Sequence, residues 1–144
     1  MRTLFLVIAL PLLVALPSCR KKQPVPPPAS VHVPGTPHTD EVLTAFRNAG
    51  LTPDGFAAVK PIPAHATYCE HGKVNAIDTT LCEYRDDQAL DKAVQEIKAG
   101  WARIDAHTGV VVRAKRTLLA VVDRERREPS GKTINQMLNV FSGL

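Results

Sequence analysis

Apolar residues recur at helical spacing in three parts of the chain, and strand-like runs lie between them. Val42, Ala45, Phe46 and Ala49 form the inward stripe of a first helix, with Thr39 or Asp40 as its cap and Gly50 as its stop. Leu90, Ala93, Val94, Ile97 and Trp101 fall at i, i+3, i+4, i+7 and i+11, which predicts a second helix from about Asp87 to Ala99, between Asp86 and Gly100. Ile134, Met137, Leu138 and Phe141 repeat the spacing in a third helix that starts near Ser130, its cap, and carries the chain to its end. A loop with Pro53, Gly55, Pro61 and Pro63 follows the first helix.

β-type segments run from about Ala66 to Tyr84, from Gly109 to Arg113 and from Thr117 to Asp123. Leu118 to Val122 is an unbroken apolar run, the pattern of a central strand with little exposure on either face. The order is helix, hairpin, helix, hairpin, helix. It predicts an α+β domain with a four-stranded antiparallel sheet and helices packed on one face.

Ahead of this domain the pattern changes twice. Met1, Arg2 and Thr3 precede an apolar stretch from Leu4 to Leu16 broken only by Pro11, a short charged start followed by the hydrophobic region of an export signal. As a helix that stretch reaches about 20 Å, against roughly 30 Å for a bilayer core, so it is too short to span comfortably. From Gln23 to His38 stand Pro24, Pro26, Pro27, Pro28, Pro34 and Pro37 among small and polar residues, which cannot build a core. Polyproline II over residues 20–38 would extend up to roughly 60 Å, with His32 and His38 as spacer residues. The division is a signal segment at 1–18, an anchor and linker at 19–38, and one domain at 39–144.

Leu16, Pro17, Ser18 and Cys19 resemble the lipobox of bacterial lipoproteins: an aliphatic residue, two small or uncharged positions, then Cys. The resemblance covers residues 1–19, and Pro17 departs from the usual small residue. It implies cleavage before Cys19, a diacylglyceryl group on its sulfur and commonly an acyl group on its amine. Two or more chains are what stable membrane anchoring requires. The implied location is the outer side of a membrane, in the periplasm or facing the exterior. Arg20, rather than Asp, after Cys19 resembles outer-membrane sorting in Gram-negative cells.

The net charge of +4 invites a nucleic-acid reading until the charges are placed. Arg2, Arg20, Lys21 and Lys22 account for four of the 18 basic residues, leaving 14 from Asp40 onward, where all 14 acidic residues also lie. The domain is neutral, and nucleic-acid binding loses its support. Arg20, Lys21 and Lys22 are instead placed to meet anionic headgroups, at about 1 kcal/mol each.

With Cys19 assigned to lipid, Cys69 and Cys82 remain as a pair in an oxidising compartment. If Asn75 and Ala76 centre a two-residue turn, Val74 faces Ile77, Lys73 faces Asp78 and Cys69 faces Cys82. The cysteines then fall on a non-hydrogen-bonded pair about 4.5 Å apart, inside the disulfide range of about 4.4 to 6.8 Å. A metal site is the alternative: His65, Cys69 and His71 share one face of an alternating strand with Cys82, a familiar zinc or copper ligand set. No C-x-x-C spacing supports redox catalysis.

Ser130, Gly131, Lys132 and Thr133 look like the end of a P-loop, but the required earlier Gly is Arg126. Arg124, Arg126 and Arg127 alternate with Glu125 and Glu128 as a solvated strand end, and His107 has no carboxylate or nucleophile beside it. No serine elbow, carboxylate pair or metalloprotease helix is present, so neither catalysis nor a cofactor is expected. The favoured function is a non-catalytic module that binds another envelope protein or envelope component, and metal binding is second.

Overall fold

The computed structural model describes residues 31–60, 62–63, 65–103 and 109–144. Its elements are α1 (Thr39–Asn48), β1 (Pro53–Ala58), β2 (Tyr68–Val74), β3 (Ile77–Glu83), α2 (Asp87–Arg103), β4 (Gly109–Ala114), β5 (Thr117–Val122) and α3 (Lys132–Ser142). The strands form one antiparallel sheet in the order β1-β2-β3-β5-β4.

The class is α+β, as the periodicity predicts, but the sheet has five strands rather than four. The additional strand, β1, lies in the stretch whose Pro and Gly suggest a loop. It survives because it is an edge: Pro53 is its first residue, where no ladder donor is needed, and the pairing with β2 is interrupted between Asp54 and Ala57. Gly72 in β2 makes room for it, since a Cβ there would come within 2.6 Å of the Phe56 ring.

The helices pack on both faces, not on one. Val42, Leu43 and Phe46 of α1 and Ile134, Met137 and Phe141 of α3 share a core with Val74, Ile77, Leu81, Leu119 and Val121. Leu90 and Ala93 of α2 lie on the opposite face with Cys69, Cys82, Tyr84, Leu118 and Ala120. Alternation along β3 and β5 sends successive apolar residues to opposite sides, so both sides need cover. β5 is buried along its whole length and lies between β3 and β4.

The helix ends also differ from the simplest reading. α1 begins at Thr39, whose amide is accepted by Glu83, while Glu41 accepts the amide of the cap residue His38. α2 takes its start from Asp86, which accepts the Ala89 amide at 2.8 Å, and it continues through Gly100 to Arg103. At α3 the cap position is Gly131, not Ser130. The Glu128 carboxylate takes the Lys132 and Thr133 amides at 2.9 and 2.7 Å, the stronger use of an anion at a helix start.

Candidate functional site

The β2–β3 hairpin follows the register expected from its sequence. Asn75 and Ala76 turn the chain at φ 48° and 68°, Val74 pairs with Ile77, and Lys73 meets Asp78 in an ion pair at 3.1 Å. Ala replaces the more usual Gly because Asn75 is held from outside: its Oδ1 accepts the Thr52 amide at 2.8 Å, and its own amide donates to the Thr52 carbonyl at 3.0 Å. Cys69 pairs with Cys82 and the two form a disulfide, with Cα atoms 4.1 Å apart.

That bond removes both thiolates from the alternative ligand set. His71 bonds Thr80 at 2.9 Å, and His65 lies 3.6 Å from Glu96 on α2. Among the described residues no cluster of three or more His, Cys, Asp or Glu is arranged to hold a metal ion.

The disulfide forms part of the floor of a groove of about 420 Å³ on the α2 face of the sheet. Thr80, Cys82, Ala120 and Val122 lie along its base, and Ile97 and Trp101 form the α2 wall. His71, Asp78 and Arg124 supply polar groups, and the buried Tyr84 also lines it. Burial, with a smaller contribution from Glu96, pushes the Tyr84 hydroxyl up to about 12. Trp101 packs against Gly109, where a Cβ would come within 2.7 Å of the indole. Of these aromatics, Tyr84 is buried and half-buried Trp101 lines the groove, while Phe56 packs over Gly72.

On the other face a second polar constellation centres on Glu83, which is fully buried. Its carboxylate accepts the Val33 amide at 2.8 Å and the Thr39 amide at 3.1 Å, and contacts His32 Nδ1 at 2.7 Å. His32 stacks on His38 and meets the edge of Tyr68. Next to Glu83 in the sheet, Thr117 bonds the Thr36 hydroxyl at 2.8 Å and the Pro37 carbonyl. The two histidines expected in a spacer are thus packed on the domain, as are the buried Val33 and Thr36. The charge pattern of the sequence gives no sign of this, because Glu83 looks like any polar residue at a strand end.

The loop before α3 is likewise built rather than loosely solvated. Asp123, which is buried, accepts the Arg127 and Glu128 amides at 2.9 Å each. Ser130 donates to Glu128, which holds that carboxyl below its ordinary range along with the amides of the helix start. Arg124 belongs to the groove, whereas Arg127 is tied to Glu125 on the surface. Cys19, Arg20, Lys21, Lys22 and His107 lie outside the described residues. Compared with protein families, curated proteins and solved structures, the chain matches none of them.

Proposed function

We propose that this chain is a cell-envelope lipoprotein, anchored through Cys19, whose domain is a non-catalytic module that binds a segment of another envelope protein in the α2-side groove. The anchor rests on the export signal and lipobox-like residues at 16–19; with residues 32–38 packed on the domain, the Pro-rich residues 20–30 are left to supply the reach. Arg20, Lys21 and Lys22 sit beside the lipid, where they favour anionic headgroups. A Gram-negative host would place it in the outer membrane.

The groove is the observation that carries the binding role. It joins apolar walls from Ile97, Trp101 and Tyr84 to a few directed polar groups, a composition suited to recognising a short segment. Within the groove His71 bonds Thr80, and Asp78 is tied to Lys73 outside the lining, so neither pair is arranged as nucleophile and base. Metal binding loses its thiolates to the disulfide.

The test is photo-crosslinking in intact cells from a photoreactive residue at Thr80, in the groove, and from one at the exposed Asn48 on α1. A discrete adduct from position 80 and none from position 48 supports the reading. Equal labelling from both positions, or none from either, contradicts it.

A further inference from the structure

The two edges of the sheet are built differently. β1 is blunted by Pro53, by Gly55 at φ 63° and by the break in its pairing, all of which discourage a further strand. β4 has none of these devices. It pairs with β5 over six consecutive positions without a shift, carries Val110, Val111 and Val112 half-buried in sequence, and among the described residues has no other strand beside it. Its one charge, Arg113, is drawn back to α2 by Asp91 at 2.6 Å and Asp87 at 3.7 Å.

The register fixes which backbone groups face outward. Ala114 and Thr117 close the two-residue hairpin, so Ala114, Val112 and Val110 exchange hydrogen bonds with β5. Gly109, Val111 and Arg113 therefore aim their N–H and C=O groups away from the sheet. We propose that two copies of this chain join antiparallel along β4, with Val111 opposite Val111 of the second copy and Gly109 opposite Arg113 of the second copy.

This pairing is self-complementary in three respects. The outward positions are symmetric about Val111, so every outward group of one strand finds its counterpart on the other. The only charged position of each strand meets a glycine, so no like charges oppose one another. The helix above the edge agrees as well. Asp87 and Asp91 touch Arg113 while Trp101 covers Gly109, so α2 runs antiparallel to β4, and Asp87, Asp91, Val94 and Lys98 follow one another at helical spacing. A two-fold axis through Val111 turns the acidic start of one α2 toward Lys98 of the second copy, with Val94 near the axis. The inference stands independently of the groove and of the lipid anchor.

Two experiments on the full-length chain in detergent test it. Light scattering should give twice the chain mass for the wild type and a single chain mass for Val111→Pro. That substitution removes only an outward N–H, so an unchanged circular dichroism spectrum is expected. In parallel, Val111→Cys should form an intermolecular disulfide under mild oxidation, because facing hydrogen-bonded residues lie about 5.5 Å apart, while Val112→Cys, which faces Val110 of the second copy, should not exceed the wild-type background. A wild type of single-chain mass, a Val111→Pro chain that stays double, or equal crosslinking from positions 111 and 112 would overturn the proposal.

Discussion

Glu83 and Thr117 face each other across β3 and β5, both fully buried, and together they hold the segment that leads into α1. The carboxylate takes two backbone amides and His32, and the hydroxyl takes Thr36 and the Pro37 carbonyl. A buried acid is costly unless its lone pairs are filled, and here the N-terminal segment fills them.

Glu83→Gln keeps the size but leaves one acceptor oxygen for several donors. Loss of about 1–3 kcal/mol is expected from the unsatisfied groups, measured by urea unfolding. Hydrogen exchange at the Val33 and Thr39 amides should accelerate more than exchange in β5. Uniform acceleration would argue against a local clasp.

The disulfide closes a short loop, with its cysteines 13 positions apart. Replacing both cysteines by serine should cost about 3 kcal/mol in the loop-entropy account, read as a lower denaturation midpoint. The wild type in reductant should approach the same midpoint. A pair of serines without effect would mean that the hairpin holds its register unaided.

Gly109 lets the indole of Trp101 lie against the backbone, so Gly109→Ala should displace the ring into or away from the groove. Overpacking of this kind costs about 1–3 kcal/mol. Trp101 is the sole tryptophan of the chain, so its emission reports the displacement directly. An unshifted spectrum would contradict the close packing.

Two groups give the domain opposite pH limits. Tyr84 is pushed up to about 12 from 10.0, so its contribution is fully present below pH 10 and is lost as pH rises from 10 through 12. Glu128 is held below its ordinary range, so its contribution is present above that range and lost as pH falls through the lowered value. Melting temperatures of Tyr84→Phe and Glu128→Gln against wild type check this: the first should lose less stability at high pH, the second less at low pH.

Helix positions and the hairpin register were legible in the sequence because they depend on local periodicity and on one turn. The apolar run Leu118–Val122 also held the signal for two-sided cover, since a strand buried on both faces requires elements on both; helices on a single face did not satisfy it. β1 was not legible, because its pairing is stabilised by β2 and by the space above Gly72 rather than by its own residues. His32 and Glu83 meet across 51 positions of chain, and Trp101 meets the sheet through a fold-dependent angle, so neither contact has a local pattern.

The Cys69–Cys82 bond uses two of the three cysteines of the chain, and the proposed anchor uses the third, Cys19. Mass spectrometry of the mature, unreduced protein from membranes measures both assignments at once. The account predicts an N-terminal Cys19 carrying acyl groups and a Cys69–Cys82 cross-link that separates only on reduction. A chain that still begins at Met1 with an unmodified Cys19, or one with free thiols at 69 and 82, would contradict it.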